Sequence, residues 1–335
     1  MTMRVLVADI GGTKTILAVY SNERGCHTPL VKKTYPSQAY PTFEAMVAEF
    51  LAEAGTPVEC ACLGVAGPVV LGTARMTNLG WLIEGEKLRS EFAWSAVHLL
   101  NDMQAVGYSI PVLSSEQVYT LSAGKPVPGG AIAVLAPGTG LGEGFLTWDG
   151  TAYRAHPSEG SHAAFAPVGE LQIGLLRYMN ELGYDHVSFE RVCSGGLGIP
   201  HLYAYLRSTG LEEPAWLRER LAEAADPTPL ILEVALDPSR SSELTTATLE
   251  LFVSILGAEA GNLALKVLAT GGIYLAGGIS PRILEQLKKP PFLEALRNKG
   301  RFRQTLTDMP VRVVLDPEAG LLGAAAYGLS LAAAC

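Results

Sequence analysis

Residues 4–10 are apolar almost throughout and stop at Gly11-Gly12, which predicts a buried strand. Residues 15–20 and 30–35 predict a second and a third strand, and the glycine pair between the first two predicts a tight hairpin. Over residues 42–54 the apolar positions Phe43, Met46, Val47, Phe50, Leu51 and Ala54 fall on one helical face, bounded by Pro41 and Gly55. Short apolar strands are expected at 60–65, before Gly67-Pro68, and at 97–100, before Asn101-Asp102. The alternation predicts a mixed α/β sheet. Pro111 and the polar residues 114–117 predict a domain boundary.

Beyond that boundary, residues 131–135 predict a strand running into a glycine-rich turn, and Leu171, Leu175, Met179 and Leu182 predict a helix. A long apolar helix is expected over 244–269, then a strand over 273–276 that stops at Gly277-Gly278. Residues 226–240 hold three prolines and no period, which predicts a loop. Strand-then-glycine patterns near Asp9 and near Ala136 hint at a duplicated plan.

A chain of 335 residues suits two domains. With 48% hydrophobic and 17% charged residues it can bury a sizeable core, which excludes a disordered class. The net charge of −8, without any basic cluster, argues against a nucleic-acid-binding face. Such a chain must handle a polyanion locally, through backbone amides, a cation or a helix end. Five scattered cysteines (Cys26, Cys60, Cys62, Cys193, Cys335) form neither a disulfide framework nor a zinc pattern, so a reduced, cytoplasmic setting is expected. Cys60 and Cys62 alternate on their strand and share a face. The first apolar run is short and contains Asp9, so no secretory leader is expected. The uncharged residues 319–335 are rich in Ala and Gly and lack basic or aromatic anchors, which predicts a closely packed buried helix and no membrane span.

Four glycine-rich turns are expected to follow strands: Asp9-Ile10-Gly11-Gly12-Thr13-Lys14, Ala136-Pro137-Gly138-Thr139-Gly140-Leu141-Gly142, Cys193-Ser194-Gly195-Gly196 and Ala276-Gly277-Gly278-Ile279. Glycine lets a backbone approach a ligand closely, and its N–H groups can cradle phosphate oxygens. One such turn means little, because tight turns need glycine anyway, and none matches the P-loop or the dinucleotide fingerprint. Two together, one with an Asp before it and a Thr within it, are more specific. A carboxylate suits hydrated Mg²⁺ and a hydroxyl suits a phosphate oxygen. Asp102, at the end of a strand, has two readings: a base for a hydroxyl nucleophile, or a helix N-cap. Glu159 and His162 lie in a glycine-softened loop, where carboxylate and imidazole can satisfy hydroxyls with direction. Asn78 and Asn101 could equally be turn residues.

The first two phosphate turns and Ala276-Gly277-Gly278-Ile279 resemble the two phosphate motifs and the adenosine motif of the sugar kinase, heat-shock protein and actin superfamily. Leu100-Asn101-Asp102 resembles the catalytic segment of sugar kinases. Met76-Thr77-Asn78 with Trp81, Ser158-Glu159-Gly160-Ser161-His162, Phe165-Ala166-Pro167 and Phe189-Glu190-Arg191-Val192 are similar, in order and spacing, to the bacterial glucokinase family. The resemblance runs from Val5 to about Gly328.

It implies an actin-like (ribonuclease H-like) fold of two α/β domains with an interdomain cleft, one formed by residues 1–112 with 318–335 and the other by 113–317. It implies transfer of the γ-phosphoryl group of ATP to the 6-hydroxyl of glucose, with Asp102 as base. Asn78, Asn101, Asp102, Glu159, His162 and Glu190 would bind the sugar. Ala8, Asp9, Ile10, Gly11, Gly12, Thr13, Gly138, Thr139, Gly140, Gly277 and Gly278 would meet the nucleotide. Asp9 would hold Mg²⁺ through water. Glucose and ATP are the expected partners, with no nucleic acid and no membrane, and a homodimer is the expected assembly. The alternatives are a kinase for another hexose or amino sugar, or a sugar-sensing regulator on the same fold.

Overall fold

The computed structural model describes residues 2–240 and 242–332, and Cys335 lies outside the described residues. The chain forms two compact units. One comprises the chain up to residue 115, residues 151–157, and the chain from residue 316 onward; the other comprises residues 116–150 and 158–315.

In the first unit, β1 (Arg4–Ile10), β2 (Lys14–Ser21), β3 (Val31–Pro36) and β4 (Cys60–Val65) belong to a five-stranded sheet. A smaller sheet contains β5 (Val69–Val70), β6 (Thr73–Met76) and β7 (Trp81–Glu84). β8 (Ala96–Asn101) completes the main sheet, whose order is β3-β2-β1-β4-β8. β1 runs parallel to β4, and β4 to β8, while β2 returns antiparallel. The apolar run in β1 lacks a polar face because both faces are covered. Leu6, Ala8 and Ile10 pack with Phe43, Met46, Val47 and Phe50 of α1 (Phe43–Ala54). Val5 and Val7 pack on the opposite face, with Cys60 and Cys62. Thr42 caps α1 by accepting from Ala45 N, and Gly55 ends it in the left-handed conformation. α2 (Gly85–Glu91) and α3 (Asp102–Ser109) complete the N-terminal part.

In the second unit, β9 (Val118–Ser122), β10 (Ile132–Pro137) and β11 (Leu141–Trp148) precede β12 (Tyr153–Ser158), most of which belongs to the first unit. With β13 (Gly272–Leu275) and β14 (Val311–Val314) they give a sheet in the order β11-β10-β13-β14-β9. Its helices are α4 (Gly169–Glu181), α5 (Phe189–Cys193), α6 (Gly198–Ser208), α7 (Ala215–Glu223), α8 (Thr228–Leu236), α9 (Glu243–Val267), α10 (Leu284–Leu287), α11 (Pro290–Arg297) and α12 (Arg303–Asp308). α9 is long and apolar enough to cross a membrane by length and composition, and 78% of its most apolar window is buried inside the protein. It is the central core helix. Gly257 and Gly261, one turn apart on α9, let the α11 carbonyls of Phe292 and Leu296 come close.

Three expectations are corrected. Residues 226–240 are not a loop, because Thr228–Leu236 is α8. Its prolines stand where helices tolerate them: Pro227 at the cap, Pro229 in the first turn, whose N–H groups lack intrahelical partners, and Pro238 beyond the end. The turn at Cys193 follows helix α5 and not a strand. In α4 the buried positions are Gln172, Leu175 and Met179, whereas Leu171 and Leu182 are exposed.

The chain closes with α13 (Ala319–Ala332), whose Leu321, Ala324 and Ala325 pack with Val5 and Val7. Its glycines set how closely it lies. A Cβ on Gly328 would meet Val5 Cγ1 at 2.9 Å, and one on Gly323 would overlap the Ala105 carbonyl and stand 2.6 Å from Ser109 N in α3. Gly323→Ala should therefore destabilise the first unit by about 1–3 kcal/mol, as overpacking does, and lower the melting temperature by several degrees. An unchanged melt by calorimetry would contradict this packing.

Candidate active site

In the first unit, the carboxyl ends of three parallel strands lie in register: Ile10 pairs with Val65, and Val65 with Asn101. Ligands of open α/β sheets gather at such ends. The turn after β1 is closed by Gly11 N donating to Lys14 O at 3.1 Å. Ser37 braces it. Its hydroxyl donates to Gly11 O at 2.7 Å, its N–H donates to Thr13 O at 3.0 Å, and Thr15 Oγ1 lies 2.9 Å from Ser37 Oγ. Nothing in the polar stretch around Ser37 marks it in the sequence. The Ala8 and Ile10 side chains are in the core, so only their backbones could meet a ligand. Asn78 reaches Gly12, where a Cβ would stand 3.9 Å from its Nδ2.

The N-cap of α3 is Asn101 and not Asp102. Asn101 Oδ1 accepts from Met103 N at 2.8 Å, Asn101 N donates to Gln104 Oε1 at 3.2 Å, and Asn101 Nδ2 donates to Gly67 O at 3.2 Å. Asp102 is the first residue of the helix and is exposed, with Oδ1 accepting from Met103 N at 2.8 Å. Asp9 lies near enough to be affected by its charge. Burial first, and then Asp102, raise the Asp9 carboxyl above its ordinary value; Lys14 opposes this and Glu318 adds to it. A Cβ on Gly320, in the first turn of α13, would stand 3.8 Å from the Asp9 carboxylate.

In the second unit, three glycine turns pack backbone to backbone. Gly195 N donates to Gly138 O and Gly196 N to Thr139 O, both at 2.8 Å, and Ile279 N donates to Pro137 O at 3.1 Å. A Cβ on Gly195 would fall 2.6 Å from Gly138 O, and one on Gly277, which has φ +75°, would fall 2.5 Å from Pro137 O. These glycines are required by the packing itself. At Gly138 and Gly278 a Cβ would have nothing within 4 Å, so the space beside them is open. Thr228 Oγ1, at the start of α8, donates to Gly195 O at 2.5 Å. The segment expected as a loop thus supports the turns.

The loop after β12 carries the short helix Gly160–His162. His162 Nδ1 lies 3.2 Å from Glu190 Oε2, and its Nε2 lies 3.7 Å from Glu159 Oε2. The three predicted side chains are therefore brought together. Glu159 and His162 are exposed and Glu190 is partly buried, with Ser188 capping the helix that carries it. The loop is held by Phe165 N donating to Val187 O at 2.8 Å, Phe189 N donating to Ala163 O at 3.2 Å, and the His186 ring, 2.8 Å from His162 O. Gly140 joins this loop to the phosphate turn, since a Cβ there would stand 3.0 Å from Glu190 Oε1.

Comparison with known proteins identifies the class first. A glucokinase from an Antarctic psychrotroph matches with a TM-score of 0.82 at 31% identity, covering 98% of this chain and 99% of that one. The glucokinase of Balamuthia mandrillaris in complex with glucose matches with a TM-score of 0.78 at 22% identity, covering 98% and 94%. The fold is the actin-like two-domain fold of the sugar kinases. The glucokinase of Nostoc punctiforme is 42% identical over 336 residues, which is 96% of this chain and 97% of that protein. The family described as Glucokinase matches residues 6–330, and the chain belongs to it.

Removing the Ser37 hydroxyl leaves the buried Thr15 hydroxyl and the Gly11 carbonyl without that partner. Ser37→Ala should cost about 1–3 kcal/mol. Denaturant unfolding should show a lower midpoint at an unchanged slope; an unshifted midpoint would contradict the bracing role.

Proposed function

We propose that this chain transfers the γ-phosphoryl group of ATP to the 6-hydroxyl of D-glucose, giving glucose 6-phosphate and ADP. The observation that carries the reading is the separation of roles at the start of α3. Asn101 does the capping, and Asp102 stands at the strand end beside Asp9. Membership of the glucokinase family supports the substrates.

Catalysis of phosphoryl transfer is mostly positioning and charge stabilisation. Asp102 orients the sugar hydroxyl for in-line attack and accepts its proton as the bond to phosphorus forms. Amides of Thr139 and Gly140, with Thr13 and Gly12, donate to the phosphates, while the Gly138 and Gly11 amides close their own turns on Gly140 O and Lys14 O. The open space at Gly138 and Gly278 supports close approach of the nucleotide. Glu159, His162 and Glu190 hold the sugar hydroxyls, assisted by Asn78. Asn101 acts by fixing the start of α3. The half-buried Asp9 carboxyl, burdened by the charge of Asp102, suits a hydrated divalent cation, and Asp9 would hold Mg²⁺ through water. When bound, that ion neutralises the terminal phosphates. The thiols of Cys26, Cys62 and Cys193, free among the described residues, support a reducing, cytoplasmic setting, and a homodimer is the form in which we expect the protein to work.

The test is ADP release over a panel of sugars, with glucose expected to give the highest kcat/KM. A sugar-sensing regulator would bind glucose and release no ADP. Asp102→Asn keeps the shape and loses the proton acceptor, so kcat should fall by about 10²–10⁴-fold. The binding of glucose and ATP should change far less. A folded variant keeping more than about a tenth of the wild-type kcat would sink the base assignment. Glu159→Gln loses a charge-assisted bond worth about 1.5–3 kcal/mol, so the glucose KM should rise by roughly ten- to a hundred-fold. His162→Ala should act on the same parameter. A normal KM in both would remove this loop from the sugar site.

A further inference from the structure

Behind the loop at residues 158–162 lies a pair of carboxyls that the reaction above does not use. Glu143 on β11 and Glu259 on α9 are both fully buried. No hydrogen-bond donor meets either oxygen of Glu143 or Oε1 of Glu259. Two ionised carboxylates offer each other only acceptors, so a donor can arise between them only if one keeps a proton. Their surroundings decide which one. Asn262 Nδ2 donates to Glu259 Oε2 at 2.8 Å, and Lys266 Nζ lies 3.9 Å from Glu259 Oε1. Lys299 adds a positive field but is itself held by Ala258 O at 2.9 Å and Asn262 Oδ1 at 2.6 Å. The single negative charge therefore rests on Glu259 and the proton on Glu143. The Cys193 thiol, facing the pair from α5, is pushed up by burial and by both carboxyls, and stays neutral.

Glu143 also touches the loop. A Cβ on Gly160 would overlap Glu143 Oε2 and stand 3.0 Å from Ser158 Oγ, which accepts from Gly160 N at 3.0 Å. The glycine between Glu159 and Ser161 is thus demanded by a buried carboxyl. Glu143 lies two residues after Leu141, at the end of the phosphate turn, and pairs with Leu135 across the strands.

We propose that Glu143 is a positioning residue: the proton it shares with Glu259 makes a buried support beneath Gly160 that keeps the 158–162 loop in its sugar-binding form. The inference rests on that loop's role in binding sugar. Loss of the shared proton would place two like charges under the loop, and the loop would move to admit water. Burial, and then the charge of Glu259, push the Glu143 carboxyl up to about 8. A raised carboxyl holds its proton more tightly in the native state. The pair's contribution to stability therefore declines as pH rises from the ordinary carboxyl range towards 8, and the support is lost above it.

The test is the pH dependence of glucose KM and kcat from about pH 7 to about pH 9 for the wild type, Glu143→Gln and Glu159→Gln. Gln at 143 can still donate to Glu259 and cannot ionise. The wild-type KM should rise by about tenfold across this range, the loss of roughly one charge-assisted bond, and Glu143→Gln should stay flat. Glu259→Gln should also flatten the profile, because its amide donates to Glu143 in any protonation state, and it stands in if Glu143→Gln fails to fold. The infrared carbonyl band of a protonated buried carboxyl should be present in the wild type near pH 7, about where ordinary carboxyls are ionised, and absent in Glu143→Gln. Coincident KM profiles for wild type and Glu143→Gln, with KM raised in Glu159→Gln, would overturn the positioning role alone. An unaltered KM in Glu159→Gln would instead remove the loop from the sugar site, and this inference with it.

Discussion

The second unit depends on backbone-to-backbone contact between three turns. Gly138 O and Thr139 O accept from Gly195 N and Gly196 N, and Pro137 O accepts from Ile279 N. No Cβ fits at Gly195, Gly196 or Gly277 within these contacts, so those three positions are constrained before any ligand arrives. The consequence is pre-organisation: amides held by their neighbours can stabilise developing charge without first rearranging. α8 contributes through Thr228, and α9, buried along most of its length, gives the sheet beneath a rigid floor.

The first unit solves a related problem with a helix. Its sheet is buried on both faces, and the space available on the α13 side is narrow. Gly323 and Gly328 let that helix lie against α3 and β1. Because α3 begins at Asp102, the glycine spacing of a remote C-terminal helix bears on the position of the proposed base. Asn101 completes the positioning by tying the start of α3 to Gly67 O.

The strands β1, β2, β3, β4, β8, β10 and β13 and the glycine turns that follow β1, β10 and β13 were legible in the sequence, because continuous apolar runs broken by Gly have few other solutions. The shorter or more polar β5, β6, β7, β9, β11, β12 and β14 were not anticipated. The shared face of Cys60 and Cys62 followed from strand alternation, and both lie in the cluster with Val5 and Val7. The helix at Thr228–Leu236 was hidden because three prolines read as breakers, whereas their positions at its two ends are compatible with a helix. The predicted helical face through Leu171 and Leu182 did not hold, since both lie at the margins of α4 and face outward. Within the site, Glu159, His162 and Glu190 were found through a family resemblance, and the structure brings the three side chains together. Ser37, His186 and Glu143 had no signal. Each acts through backbone or burial, and a lone polar residue in a sequence does not show what will close over it.

The central claim is phosphoryl transfer from ATP to a primary sugar hydroxyl. The most direct measurement is phosphorus and carbon NMR of the product formed from ATP and carbon-labelled glucose. The account predicts phosphate coupled to carbon 6 of glucose, in one-to-one ratio with ADP. Free inorganic phosphate as the main product, or phosphate on any other carbon, would contradict it.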